Sequence, residues 1–282
     1  MNGILAATVV AHVPTLARQE ITPEFQRTLV EGERALGAGL RRLMPALWVI
    51  ASTHWVSTFN WFATCQENHR GVCVADEAPD LIPGVPYSYR GDPAFAAALV
   101  DEWTRLGIPA SRNDSPHYSW DYGTFVPLSH LDPHAEVPVV AIPVVLMADH
   151  AECMRAGTAI HAVARAVGRR VVFVASTALS HALVRGRHHA PEHERAQADA
   201  AFIAQLERGA IDELTSGFAE YSRLTAAEMG GRVLATLLGV LQSMHADGEP
   251  LAGRQFGAYA QSSGSGNANV VVADPDTLTN LA

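Results

Sequence analysis

Three histidines occupy equivalent positions in this sequence, because each follows a short run of apolar and β-branched residues that is typical of a buried strand. The three are His12 after residues 4–10, His54 after residues 47–51, and His181 after residues 171–175. The carboxyl ends of parallel strands meet at one edge of an open α/β sheet, where ligands bind. We therefore expect the three imidazoles to converge on one site although they are far apart in the chain.

Two imidazoles and one carboxylate would form a facial metal site with open positions, the arrangement used in non-haem Fe(II) oxygen chemistry. The spacing of the acidic residues does not identify the carboxylate. Glu228 is one candidate, but Thr225-Ala-Ala-Glu228 also has the pattern of a capping box, in which Glu228 would bond to the Thr225 backbone. The local pattern alone favours the cap.

A second histidine group has a spacing that resembles a metal site. His188, His189 and His193 surround a proline in a polar segment that also contains Arg185 and Arg187. The polarity of this segment favours a solvated start of a helix over a metal site.

The elements that must position the three histidines follow from the pattern of the whole chain. Further strand patterns lie at residues 137–146 and 270–273, and a Ser-Gly segment at 262–266 predicts a hairpin turn. The predicted helices begin at Thr22-Pro23, Asp92-Pro93, Asp149 and Thr225, and end near Leu43, Gly107, Gly168 and Met244. This alternation predicts a single α/β domain over residues 1–282, with a central, mostly parallel or mixed sheet flanked by helices.

Residues 68–92 interrupt this alternation with a segment rich in proline, glycine and aspartate. We interpret the segment as a long ordered excursion over the sheet. Excursions of this length in compact domains usually have a function.

Composition excludes several classes of protein. All twenty basic residues are arginine, so chemistry that needs a lysine amine, such as Schiff-base catalysis or a Walker A nucleotide site, is ruled out. A net charge of −9 disfavours a nucleic-acid partner, and the apolar runs are too short to span a membrane. Three cysteines without a CxxC pair indicate reduced, packed thiols and a cytoplasmic protein.

Seven segments of the sequence form a recognisable set when they are taken together. They are AHVPTL, STHW, PYSYRGDP, WDYGTFVPL, ASTALSH, AAEM followed by LLGVL, and SSGSGNANVV. Their order and spacing are more specific than any one of them. The set resembles a known family, the class III extradiol ring-cleaving dioxygenases that include the protocatechuate 4,5-dioxygenase β subunit. The similarity is strongest to the homoprotocatechuate (3,4-dihydroxyphenylacetate) 2,3-dioxygenase branch and runs nearly end to end.

The resemblance implies roles for individual residues. His12 and His54 would bind Fe(II), Glu228 would be the third ligand rather than a cap, and His181 would be the catalytic acid/base. The implied reaction is cleavage of a catechol-type substrate by O2 to a ring-opened semialdehyde, without NAD or flavin. A homo-oligomer is expected.

The second acid/base of the family has no direct counterpart here. Many members carry a histidine in an Asp-His-Gly segment, where this chain has Asp121-Tyr122-Gly123. Tyr122, as a hydrogen-bond donor, and the nearby His117 are the two candidates for this role.

The substrate and the function class stay open at this point. An acidic side chain on the catechol would need arginine or histidine as its partner, and the candidates are Arg90, Arg185, Arg187 and His188. Protocatechuate, 2-aminophenol and dihydroxypyridines are alternative substrates to 3,4-dihydroxyphenylacetate. Two other classes fit the residues, a Zn(II) hydrolase and a non-catalytic binding protein of the Memo-like kind.

Overall fold

The computed structural model describes residues 3–248 and 250–281. Its strands are β1 (Gly3–Val10), β2 (Leu47–Ser57), β3 (Trp61–Thr64), β4 (Asn68–Cys73), β5 (Val85–Arg90), β6 (Ala110–Asn113), β7 (Val139–Val145), β8 (Arg170–Ser176), β9 (Ala252–Ser262) and β10 (Ser265–Ala273). Its helices are α1 (Arg27–Arg42), α2 (Pro93–Arg105), α3 (Tyr122–Leu131), α4 (His150–Ala166), α5 (His193–Glu207), α6 (Ile211–Thr225), α7 (Arg232–Ala246) and α8 (Pro275–Asn280). Short 3-10 turns occupy Pro14–Leu16, Glu24–Gln26 and Glu228–Gly231.

Six strands form the central sheet, in the order β7-β2-β8-β1-β10-β9. The first four are parallel, whereas β10 pairs antiparallel with β1 and β9 pairs antiparallel with β10. This confirms the predicted α/β class and the mixed sheet. Apolar side chains are buried on both faces of the sheet, as expected for strands covered by crossover helices.

Helix caps follow the sequence in two cases. Asp92 accepts a hydrogen bond from Phe95 N at 3.0 Å and Asp149 accepts one from Glu152 N at 2.7 Å, so both predicted N-caps are confirmed. The predicted cap at Thr22 is wrong, because its hydroxyl donates to backbone carbonyls and α1 begins only after the turn at Glu24–Gln26.

The start predicted for the last long helix, at Thr225, is also wrong. Thr225 is the last residue of α6, and α7 begins at Arg232 after a tight turn. The Ser-Gly hairpin turn is confirmed, because Ser263 and Gly264 link β9 to β10 with φ values of 51° and 84°, as in a two-residue type I′ turn.

The excursion at residues 68–92 contains more regular structure than the sequence indicates. Strands β4 and β5 pair antiparallel with each other along the full length of both strands, and residues 74–84 form the loop that connects them. All three cysteines are free thiols, as predicted. Within the described ranges, none of the helices has the length and apolar character that crossing a membrane requires.

Candidate metal centre and active site

Three adjacent strands bring the predicted histidines together at the carboxyl edge of the sheet. Strands β2, β8 and β1 are neighbours, and His12 follows β1 directly while the segment carrying His181 follows β8. His54 differs from the prediction, because it lies within β2 rather than after it. The pairing of β2 with β7 shifts between Ser52 and Val56, so the extra residues bulge and turn His54 toward the site.

Glu228 enters the site from a turn with an unusual backbone. Met229, Gly230 and Gly231 follow it with φ values of 48°, 65° and 73°, all in the left-handed region. The His150 ring, whose Nε2 lies 2.7 Å from Gly230 O, and the Arg232 guanidinium, which donates to Met229 O at 2.7 Å, hold this turn. The turn therefore gives Glu228 a fixed approach to the histidines.

The side-chain atoms of His12, His54 and Glu228 converge on one point. Glu228 Oε1 lies 3.3 Å from His12 Nε2 and 3.5 Å from His54 Nε2, and the two nitrogens lie 3.2 Å apart. One ligand atom from each residue falls within 4.8 Å of the other two. A buried carboxylate facing two imidazole nitrogens fits a divalent transition metal, for which two nitrogen donors and one oxygen donor are a common set.

The second oxygen of Glu228 is held by the segment that follows β8. Ala178 N donates to Oε2 at 2.7 Å and Thr177 Oγ1 lies 3.2 Å from it, so Oε1 alone faces the histidines. The capping-box interpretation is wrong, since Glu228 does not reach back to Thr225. Burial alone would raise the pKa of Glu228, but the adjacent imidazoles hold it well below its ordinary value, and the carboxylate is ionised.

Ser176 fixes the tautomer of His12. Its hydroxyl donates to Gly123 O and lies 3.2 Å from His12 Nδ1, so the one hydroxyl hydrogen is used and Nδ1 must donate to Ser176. The lone pair of His12 Nε2 therefore faces Glu228.

His181 stands beside the cluster without belonging to it. Its Nε2 lies 3.5 Å from Glu228 Oε1, and its ring is partly open to solvent. Burial lowers the pKa of His181 below the ordinary value of an imidazole, and the opposing effect of Glu228 is smaller. A neutral imidazole at this position can accept a proton from a substrate hydroxyl.

Tyr122 opens α3 and packs over His54. The two ring centroids are 3.9 Å apart, and the Glu77 carboxylate is the charged group with the largest effect on the Tyr122 hydroxyl. Burial, together with Glu77, raises the pKa of Tyr122 above its ordinary value, so the hydroxyl stays protonated. His117, by contrast, is exposed on the turn before α3 and does not line the cavity beside His54.

The four candidates for binding an acidic substituent fall into two groups. Arg90 lies at the amino edge of the sheet, where it donates to Glu136 O at 2.8 Å and where the next residue, Gly91, pairs with Val139 at the start of β7. The structure thus places Arg90 away from the histidines. The other three are exposed in the segment that begins four residues after His181: Arg185, Arg187 and His188.

The second histidine group is not brought together as a metal site. The rings of His188 and His189 lie with their centroids 4.3 Å apart at a tilted angle of 35°, whereas His193 begins α5. Among the described residues, the three-residue cluster of His12, His54 and Glu228 is the one set of side chains with metal-binding geometry.

Sequence reasoning did not find the residues that support the histidines. Ser176, Thr177 and Glu77 were not candidates, and neither was Ser52, whose hydroxyl accepts from His54 N at 3.1 Å and donates to Asp121. The position of Ser176 and Thr177 at the carboxyl end of β8, a few residues before His181, is a signal that could have indicated the first two. Glu77 has no such local signal.

Comparison with known proteins agrees with this geometry. Residues 6–272 match the model of the family described as the catalytic LigB subunit of aromatic ring-opening dioxygenase. The chain is 23% identical to 3,4-dihydroxyphenylacetate 2,3-dioxygenase of Escherichia coli over 252 residues, covering 86% of this chain and 91% of that protein. It is 26% identical to the 2-aminophenol 1,6-dioxygenase β subunit of a Pseudomonas species over 196 residues, or 64% of either chain.

A solved structure of similar fold is that of an uncharacterized protein from Escherichia coli K12. It superposes with a TM-score of 0.66 at 18% identity and covers 95% of this chain and 99% of its own, which shows a shared fold. Because the family model covers nearly the whole sequence, the chain belongs to the LigB family of extradiol ring-cleaving dioxygenases. The resemblance inferred from the sequence motifs is thereby confirmed.

Proposed function

We propose that this protein is an Fe(II)-dependent extradiol dioxygenase that cleaves a catechol-type ring with O2 to a ring-opened semialdehyde. The observation that carries the proposal is the convergence of His12 Nε2, His54 Nε2 and Glu228 Oε1, with His181 Nε2 beside the same carboxylate oxygen. These three ligands would hold the iron, which would supply a binding site for the two adjacent substrate oxygens and for O2.

The residues of the chain would then move and hold protons. His181, kept neutral by burial, would accept a proton from a substrate hydroxyl and return one later in the reaction. Tyr122 stays protonated and, with its single hydroxyl hydrogen turned from Glu77 toward the substrate, would act as a hydrogen-bond donor where relatives carry a second histidine. His117 is a weaker candidate, because its side chain points into solvent.

The charges around the site bear on the substrate. The cavity beside His54 is lined by the carboxylates Asp76, Glu77 and Asp121, and no arginine lines it. An acidic substituent, as in 3,4-dihydroxyphenylacetate, would therefore have to point toward the segment of Arg185 and Arg187 instead. The two relatives are named for 3,4-dihydroxyphenylacetate and 2-aminophenol, and we propose both compounds as candidate substrates. Protocatechuate and dihydroxypyridines are further alternatives.

Metal analysis combined with O2 uptake on a panel of catechols tests the proposal. We expect bound iron, one O2 consumed per ring cleaved, and a product whose mass exceeds that of the substrate by two oxygen atoms. Tight binding of zinc with hydrolytic activity and no O2 uptake would point to a hydrolase. A protein that holds no transition metal and consumes no O2 with any member of the panel would point to the binding-protein class.

A further inference from the structure

The loop between β4 and β5 brings a carboxylate to the rear of the proposed metal site. Residues 74–84 connect the two strands, and Ala75 and Ile82, on either side of Glu77, are fully buried. Ala75 N donates to Ile82 O at 3.2 Å, which closes the loop on itself. Glu77 is thus presented by an anchored turn, although its own side chain is 56% exposed.

Glu77 contacts two residues of the site. Its Oε1 lies 3.4 Å from His54 Nδ1, the ring nitrogen that faces away from Glu228, and its negative charge contributes to the raised pKa of the Tyr122 hydroxyl. Tyr122 in turn covers the His54 ring. One side chain of the excursion therefore acts on both the ligand and the aromatic ring packed on that ligand.

Histidines that bind metals usually donate their second ring N–H to a carboxylate, a carbonyl or water, which fixes the tautomer and strengthens the ligand. His12 has an uncharged and fully buried partner, Ser176. His54 has a charged partner that comes from outside the sheet. We infer that Glu77 is a positioning residue that keeps the proton of His54 on Nδ1 and its Nε2 lone pair directed at the metal. Supplying Glu77 is then one function of the excursion at residues 68–92.

This inference rests on the proposed metal site, and Asp76 provides a matched control. Asp76 is the neighbouring exposed acid and lines the same cavity, but within the described part of the chain it has no ion pair with His54. The experiment compares Glu77→Ala, Glu77→Gln and Asp76→Ala with the unchanged protein. It measures the Kd for Fe(II) under anaerobic conditions, the absorption spectrum of the Co(II)-loaded protein, and the Tm without metal.

We expect Glu77→Ala to raise the Kd about 10–100-fold, the usual effect of removing such a partner, and to shift the Co(II) spectrum. Glu77→Gln keeps an oxygen acceptor without the charge, so its loss should be smaller. Asp76→Ala should match the unchanged protein in both readouts, and all four proteins should have the same Tm without metal.

Two outcomes would overturn the inference. One is a Kd for Glu77→Ala within twofold of the unchanged protein. The other is an equal loss in Asp76→Ala, which would mean that the general negative potential, and not the contact to His54, sets the affinity. If Glu77→Ala did not fold, an unchanged Kd and Co(II) spectrum in Glu77→Gln would reject a role of the charge. Failure of the unchanged protein to bind any divalent metal would instead reject the proposed function.

Discussion

The Nε2 atoms of His12 and His54 lie 3.2 Å apart, although 42 positions separate the two residues in the chain. Both nitrogens face the same carboxylate oxygen of Glu228, which is 2% exposed. Two imidazole nitrogens at this distance can share one proton or one metal ion. Without a metal, burial would lower the pKa of His54, but Glu228 and Glu77 raise it; in the proposed metal site, acceptors at the rear of each ring, Ser176 and Glu77, would keep the ring protons on Nδ1 and leave both Nε2 atoms to the metal.

Replacing Glu228 by alanine should remove most of the bound metal, because the site loses its only negatively charged ligand. The measurement is metal content after gel filtration, together with the Tm. Glu220→Ala, an exposed change on the preceding helix, is the control. Full metal content with a lowered Tm would mean that Glu228 serves only the structure. His12→Ala and His54→Ala should lose metal in the same way.

Replacing His181 by phenylalanine should leave the metal in place and lower kcat by about 10²–10⁴-fold, the usual share of general acid/base catalysis. The exposed His134→Phe is the matched change at a distance from the site. Steady-state kinetics with metal-loaded protein checks the prediction. A near-normal kcat would remove His181 from the mechanism, and metal loss equal to that of His12→Ala would make it a ligand.

The exposed arginines near His181 should distinguish substrates by charge. Arg185→Ala or Arg187→Ala should raise KM for 3,4-dihydroxyphenylacetate and leave KM for unsubstituted catechol nearly unchanged, since the lost contact is remote from the reacting ring. His188→Ala should have the same effect if His188 is the residue that binds the acidic substituent. Arg90→Ala, at the opposite edge of the sheet, should change neither constant. Equal effects on both substrates would argue against an acidic substituent.

A buried acid on α1 should make stability depend on pH. Glu33 is fully buried, both its oxygens lack a hydrogen-bond partner, and burial raises the pKa of this carboxyl well above its ordinary value. His130 Nε2 lies 3.9 Å from Glu33 Oε2, but it bonds to Leu16 O and burial lowers the pKa of His130, so the ring does not compensate the carboxylate. The folded state therefore retains a proton that the unfolded chain releases above its ordinary pKa of 4.5, and the free energy of unfolding falls as the pH rises from there.

Glu33→Met removes this group and should raise the free energy of unfolding at pH 8 by about 1–3 kcal/mol, the cost of a buried unpaired polar group, with a smaller gain at pH 5. Urea unfolding at pH 8 and at pH 5 measures the free energy of unfolding of both proteins. The exposed Glu31→Met on the same helix should show no such dependence. A gain that is equal at the two pH values would contradict the assignment, as would a loss of stability at pH 8.

Local patterns were sufficient for much of the fold. The β-branched runs gave the central strands, and Asp92 and Asp149 marked helix starts because a cap is a contact within four residues of sequence. The bulge in β2 was missed, since Thr53, His54 and Trp55 have no composition that distinguishes a bulge from a regular strand. The hairpin of β4 and β5 was missed because its glycine and prolines are typical of a loop.

The candidate site shows the limit of local reasoning more clearly. Thr225 and Glu228 match a capping box, yet long-range contacts to Ala178 decide the position of the carboxylate. The local pattern left Glu228 as one candidate ligand but favoured the cap, and the resemblance to a family decided for the ligand. Glu77 could not be found from the sequence, because its contacts to His54 and Tyr122 join three separate segments of the chain.

The outer strand β9 has a consequence for how copies of the chain can associate. Its pairing with β10 shifts near Gly257, which has a φ of 76° and lies so close to α1 that an added Cβ would fall 2.1 Å from Thr28 O. The strand is therefore irregular at this point, and the irregularity interrupts the straight row of backbone groups that edge-to-edge pairing of sheets needs. Pairing of two copies of the chain along β9 is accordingly disfavoured.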